Sequence, residues 1–405
     1  MRIALAGLAA LAVAMGIGRF AFTPILPMML EDAAVSAASG GLTNASGGLT
    51  NAGGDLTVAG GGWLASANYL GYFVGALWAG MRHASRVRAA VAIRAGLAAI
   101  ALSTLAMALD AGFAAWAVLR FIAGVASAWV LVRTSSWCLE RIIPLGRPIL
   151  AGVLFAGVGT GVAVAGVLCA VLMAAHAGSS AAWLLLGVVS LAVICFVWPV
   201  FSFSNEGTTR SSAVPRWTWA QVRLVIAYGA YGFGYIIPAT FLPVLARDVV
   251  SDPAVFGWAW PVFGTAAAFS TLGVALLSGR YGNRAAWIAS HLVMALGVAA
   301  PVFWPGAPGI LLAALCVGGT FVVITMVGLQ EARTVVASEG NANPARLMAA
   351  MTAAFAAGQI AGPLSVSFLV GAGGGFTAAL LTASGMLVAG AALLLRKPGF
   401  PPSRE

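Results

Sequence analysis

The sequence predicts an all-α membrane protein of twelve transmembrane helices in two six-helix bundles. Three observations carry that expectation. The 405 residues are 61% hydrophobic and only 8% charged, where ordinary soluble domains carry about 25% charged residues, and the mean hydropathy is +0.98. Apolar runs recur from Ile3 to Leu395 at the roughly 20-residue length that a helix needs to cross a bilayer. Most of the cationic residues fall in the gaps between those runs. Such a chain cannot cover a soluble surface, and it is too apolar for intrinsic disorder. The net charge of +10 would point to nucleic acid only if the basic residues shared one face, which they do not.

Taken in order, the spans are expected over 3–29, 62–81, 89–109, 112–137, 148–174, 181–203, 221–246, 256–279, 285–304, 308–330, 346–370 and 376–395. The first begins Met1-Arg2 and contains A-V-A at 12–14, as a signal peptide would. Its apolar sequence continues to Leu30, too far for a signal region, so a helix is expected. Residues 31–61 read as a flexible outer loop rich in Gly, Ser, Thr and Asn, with A-S-G-G-L-T-N at 38–44 repeated at 45–51. A slipped duplication without function accounts for the repeat, and the sequon at Asn44 is expected by chance. Residues 204–220, with Glu206, Arg210, Pro215 and Arg216, form a polar connection between helices six and seven. The expected domains are therefore 1–203, the linker 204–220, and 221–405.

Arginine placement sets the orientation. With a cytoplasmic N-terminus, the inside connections collect fourteen positions from Arg82 to Lys397, while the outside ones hold Arg247 together with Glu31, Asp32, Asp55, Asp110, Asp248 and Asp252. This positive-inside asymmetry places both termini in the cytoplasm and supports an even helix count. Cys138, Cys169, Cys195 and Cys316 lie in or at the ends of apolar runs without C-x-x-C spacing, so buried inert thiols are expected rather than disulfides or a metal site.

The two halves repeat. Gly16, Gly18 and Pro27 of helix one map at constant offset onto Gly232, Gly234 and Pro243 of helix seven, and Arg19 maps onto Tyr235. Helices two and eight open near Trp63 and Trp258 and end in arginines four apart, Arg82 with Arg86 and Arg280 with Arg284. Helices five and eleven carry Phe155 and Phe355 shortly before G-x-x-x-G pairs, Gly157 with Gly161 and Gly358 with Gly362. A parallel six-helix repeat is the construction of carriers with a substrate site between the halves.

Over its whole length the chain resembles the major facilitator superfamily. The stretches G-I-G-R-F-A-F-T-P-I-L-P at 16–27 and W-L-A-S-A-N-Y-L-G-Y at 63–72 resemble its YbfB/YjiJ-type branch. The resemblance implies a transporter of the bacterial inner membrane. The superfamily's loop signature after helix two is degraded here; after helix eight, R-Y-G-N-R retains Gly282 and two arginines without the aspartate. The helix-four signature R-x-x-x-G is present as Arg120 and Gly124, whereas the Gly-Pro of the helix-five antiporter signature occurs only in helix eleven, as Gly362-Pro363.

Charges inside spans are costly and are functional candidates by default. Arg19 and Arg120 qualify, and no Asp or Glu lies deep in a span, Glu140 and Glu331 being nearest. Two readings of Arg19 stand side by side: a guanidinium that binds an anionic substrate group, or a packing device held by helix carbonyls, tyrosines and Asn68. Arg120 leans toward the structural role. Tyr228, Tyr231 and Tyr235 share one face of helix seven; with Asn68, Tyr69 and Tyr72 of helix two and Gln359 of helix eleven they are candidates to line a cavity. His291 is the histidine well within a span and the proton-coupling candidate. Secondary transport of a small organic anion by alternating access, with proton coupling, is the expected function. Efflux of amphiphilic compounds is the alternative, and a membrane-embedded enzyme or scaffold the remote one. The expected partners are a small-molecule substrate and the lipid bilayer, with no nucleic acid, cofactor or metal, and a monomeric chain.

Overall fold

The computed structural model describes residues 1–40, 56–81, 87–202, 217–247, 253–339, 344–371 and 375–395. Among them no strand occurs. The long helices number twelve and follow the expected order. Helix α1 is composite: Arg2–Leu11, a π-helical stretch Ala12–Phe20, and Phe22–Gly40. The rest are α2 (Val58–Gly80), α3 (Ala89–Ala106), α4 (Phe113–Ile142), α5 (Ile149–Ala174), α6 (Ser179–Val197), α7 (Trp219–Arg247), α8 (Pro253–Tyr281), α9 (Asn283–Phe303), α10 (Ala307–Ser338), α11 (Ala345–Gly371) and α12 (Gly375–Leu395).

Eleven of the helices are long and apolar enough to cross a membrane by composition. The exception is α2, whose 23 residues suffice in length; its glycines, Asn68 and two tyrosines lower its hydropathy. Large apolar side chains such as Phe196, Phe269 and Leu296 point outward, as lipid-facing residues do. Helix α10, at 32 residues, is about 48 Å long and overruns the roughly 30 Å hydrocarbon layer. Its last turns carry Glu331 and Arg333 beyond the apolar run.

Several boundaries differ from the sequence reading: α4 runs to Ile142 rather than 137, α6 ends at Val197 rather than 203, and α10 runs to Ser338 rather than 330. Helix α1 runs on to Gly40, because E-D-A-A-V-S-A-A-S after Leu30 is rich in good helix formers, so part of the expected loop 31–61 is helical. Helix α2 starts at Val58, with the Thr57 hydroxyl accepting from Gly60 N at 3.1 Å as an N-cap. Residues 41–51 of the tandem heptad lie outside the described residues, as does most of 204–220.

Close backbone contacts position the helices. An added Cβ on Gly16 would come within 2.4 Å of Gly161, and one on Gly157 within 2.1 Å of Leu8 O, so these glycines let α1 and α5 cross with backbones touching. The equivalent crossing joins α7 and α11, where Gly232 faces Phe355 O at 2.2 Å and Gly358 faces Gly229 O at 2.4 Å. The repeat read from the sequence is thus a repeat of packing. A second glycine set on α5, Gly152, Gly159 and Gly166, faces the other half: Ala275 Cβ, Gly264 O with Ala268 N, and Pro261, all on α8. Polar ties close the ends. Asp32 accepts from Ser179 N at 2.7 Å at the start of α6, placing a carboxylate where the helix dipole favours it. At the opposite end Arg284 donates to Leu394 O at 2.6 Å and pairs with Glu331 at 3.7 Å, and Glu339 accepts from Thr218, just before α7, and from Gln221 in its first turn.

Candidate functional site

The site grows out of the break in α1. In the π-helical stretch each carbonyl looks five residues ahead for its N–H. For Arg19 O that residue is Pro24, which has none. Side chains from other helices donate to this carbonyl and to others along the stretch. Arg120 Nη2 donates to Arg19 O at 3.2 Å and Nη1 to Gly18 O at 3.4 Å. Asn68 Nδ2 donates to Gly18 O at 3.3 Å and to Arg120 O at 2.9 Å, and Ser127 Oγ to Ala14 O at 2.7 Å. Arg120 also lies 4.6 Å over the Phe22 ring. The glycine of R-x-x-x-G acts on packing instead. A Cβ on Gly124 would sit 2.2 Å from Asn68 O, so Gly124 brings α2 against α4 where Asn68 must reach.

Arg19 itself points away from this knot. It is 3% exposed, its Nη2 donates to Gln359 Oε1 of α11, and its Nε and Nη1 have no hydrogen-bond partner. No carboxylate among the described residues pairs with it. Aromatic faces surround it instead: Tyr72 at 3.9 Å from the ring centroid, Tyr69 at 5.4 Å, Phe20 at 5.5 Å and Phe355 at 5.7 Å. Such cation–π contacts contribute about 0.5–2 kcal/mol, which leaves two buried N–H donors unanswered. Gln359 Nε2 and Asn68 Oδ1 are buried without a partner as well.

Beyond Phe20, Tyr72 and Phe355 lies a small cavity between the halves, completed by Met15, Leu131, Val158, Tyr228, Tyr231, Phe321, Val322 and Thr325. Tyr231 donates to Phe321 O at 2.6 Å, which fixes its ring against α10. Tyr235 does not line the cavity; it stacks on Phe321 at 5.3 Å and 18°, one turn from Tyr231.

The sequence of the chain, from α1 to α12, carries a family pattern that accounts for this architecture. A family model described as "Uncharacterised MFS-type transporter YbfB" matches residues 11–51 and 49–395. The chain belongs to this transporter family. The two matched stretches meet inside the second copy of the tandem heptad. No curated protein matches the transporter by sequence. Among solved structures it is similar to the human organic anion transporter MFSD10 (TETRAN), with a TM-score of 0.70 at 19% identity, covering 97% of this chain and 99% of that one. It is also similar to the E. coli fucose:proton symporter FucP, with a TM-score of 0.66 at 14% identity, covering 96% and 97%. These likenesses are of fold: the chain has the major facilitator architecture of two six-helix bundles, and it is a transporter rather than an enzyme.

Within the transporter, Arg19, Tyr72 and Gln359 come together at the centre, with Tyr228 and Tyr231 on the cavity and Tyr235 just behind. Asn68 and Arg120 hold the backbone of α1. His291 stands apart, fully buried between α9 and α7, its Nδ1 3.3 Å from Trp287 O and its Nε2 3.3 Å from Ala227 O. Phe321, Thr325, Met15, Leu131, Val158 and Val322 line the cavity but carry no charge to mark them among other apolar residues. Phe20 and Phe355 had a signal: each adjoins a motif that the sequence singles out.

Proposed function

We propose that this chain carries a small organic anion across the bacterial inner membrane by alternating access, with Arg19 as the group that meets the anion. The observation that carries this reading is a buried guanidinium with two unpartnered nitrogens beside a central cavity and with no acid at hand among the described residues. A buried charge left uncompensated costs several kcal/mol, and an anionic cargo relieves that cost whenever it binds. The proposed moving bodies are residues 1–203 and 221–405, joined through 204–220, with both termini in the cytoplasm. A monomer suffices, since one chain supplies every residue around the cavity. Proton coupling is assigned to His291: both ring nitrogens face carbonyl oxygens, so a second proton on the ring finds an acceptor waiting.

The test is counterflow of radiolabelled organic acids into proteoliposomes. Arg19→Ala and Arg19→Lys are expected to weaken anion affinity about 10- to 100-fold, the scale of a charge-assisted bond of about 1.5–3 kcal/mol. Unchanged anion transport in both variants removes Arg19 from the role. Preference for neutral or cationic amphiphiles would favour the efflux reading. In the same vesicles His291→Gln is expected to abolish accumulation driven by a pH gradient while sparing counterflow; loss of neither takes His291 out of coupling.

A further inference from the structure

The rings around Arg19 are ordered. From α8 inward, Trp260 stacks on Phe263 at 5.3 Å and 11°, Phe263 on Phe321 at 5.0 Å and 18°, Phe321 on Tyr235 at 5.3 Å and 18°, and Tyr235 on Phe355 at 6.2 Å and 28°. Phe355 then lies 5.7 Å from the Arg19 guanidinium. Aromatic pairs in protein cores adopt both edge-on and offset-stacked arrangements. Four consecutive near-parallel pairs, drawn from α7, α8, α10 and α11, form a ladder of flat faces that ends at a cation. A flat ring can join such a ladder with little rearrangement of its rungs, whereas a puckered body meets each face along an edge.

The polar end of the ladder has its own geometry. Gln359 Oε1 occupies Nη2 of Arg19, the nitrogen shared by both hydrogen-bonding edges of a guanidinium. Nη1 and Nε, the outer members of those two edges, are the unpartnered ones. A carboxylate that displaces the Gln359 oxygen gains a two-bond fork, Nη1 with Nη2 or Nε with Nη2, which is the arrangement that suits guanidinium and carboxylate. The released Gln359 amide keeps a donor, Nε2, that already lacks a partner and can follow the carboxylate. The neighbouring cation is not available for this: the Arg120 nitrogens Nη1 and Nη2 are committed to the carbonyls of Gly18 and Arg19. Arg120 keeps an unpartnered Nε, but with both terminal nitrogens committed it offers no two-bond fork, so the site has fork geometry for one carboxylate.

We infer that the cargo is a flat aromatic monocarboxylate, whose carboxylate replaces Gln359 on Arg19 and whose ring joins the ladder at its Phe355 end. This rests on the anion reading above and narrows it. Gln359 belongs to α11 and Arg19 to α1, so binding also exchanges a bond between the halves for a bond to cargo.

Four related compounds test it on the purified wild-type protein by calorimetry: benzoate, cyclohexanecarboxylate with the same charge and no flat face, benzamide with the face and no charge, and terephthalate with two charges. Benzoate is expected to bind about tenfold or more tighter than each of the others. Phe355→Leu should close the gap between benzoate and cyclohexanecarboxylate, and Arg19→Gln the gap between benzoate and benzamide. If cyclohexanecarboxylate or terephthalate binds as tightly as benzoate, the aromatic monocarboxylate is overturned and the broader anion reading stands. If benzamide equals benzoate, or no acid binds, both fall together. The wild-type comparison alone decides these outcomes, whether or not the variants fold.

Discussion

Two arginines lie next to each other in this fold and do opposite things. Arg120 spends two guanidinium nitrogens on Arg19 O, which Pro24 leaves without a donor, and on the neighbouring Gly18 O. Removing it strands Arg19 O and leaves Gly18 O to Asn68 alone, a loss of about 1–3 kcal/mol. The Arg19 side chain keeps two unpartnered nitrogens, so its charge is a cost that the resting protein bears. Thermal unfolding in detergent separates the two roles. Arg120→Ala is expected to lower the midpoint by several degrees, and Arg120→Lys to recover only part, because one ammonium cannot reproduce a fork across two oxygens. Arg19→Gln is expected to hold or raise the midpoint. Equal destabilisation by both would return Arg19 to the packing role that the sequence left open beside the binding one.

Helix α5 carries the same division of labour along its length. Gly157 and Gly161 face α1 within one bundle, while Gly152, Gly159 and Gly166, seven residues apart, face α8 in the other. A methyl on Gly161 would meet Ala12 O at 2.3 Å, and one on Gly159 would meet Ala268 N and Gly264 O at 2.5 Å. Backbone atoms cannot step aside, so each substitution pushes two helices apart at about 1–3 kcal/mol. The consequences differ by interface. Gly161→Ala is expected to lower thermal stability, because it wedges apart two helices packed backbone to backbone in the same half of the chain. Gly159→Ala is expected to cut transport about tenfold or more in protein that remains folded, because it wedges the surface across which the bundles meet. Normal counterflow by Gly159→Ala at normal stability would show that this surface need not close. In the sequence the G-x-x-x-G pair stands out, but the heptad of glycines is hidden among 51 glycines until α8 is seen beside it.

At the scale of the molecule, most of the fold is legible because lipid imposes it. Hydrocarbon fixes span length, and the gaps between spans collect charge, so twelve helices can be counted without knowing a contact. The π-helical stretch is not legible, since its donors come from Asn68, Arg120 and Ser127 on helices far along the chain. The cavity wall is legible only where chemistry marks it, as at Arg19 and the tyrosines; Phe321 and Thr325 look like any lipid-span residues until α7 and α10 are placed. Orientation rests on charge alone. From arginines after the even-numbered helices and acids after the odd ones, residues 204–220 are expected in the cytoplasm and 31–61 outside. Single cysteines test this, since Cys138 and Cys169 are buried and Cys195 and Cys316 sit within lipid-spanning helices, out of reach of a membrane-impermeant maleimide. Ser46→Cys is expected to label on intact cells, and Ser212→Cys only after the membrane is opened. The reverse pattern would invert the whole topology at once, because an even helix count ties both termini and the central connection to the same side. Labelling of both positions from outside would instead require an even number of spans between them, in conflict with the five helices α2 to α6 and with the six-and-six division on which the repeat of Gly16 with Gly232 depends.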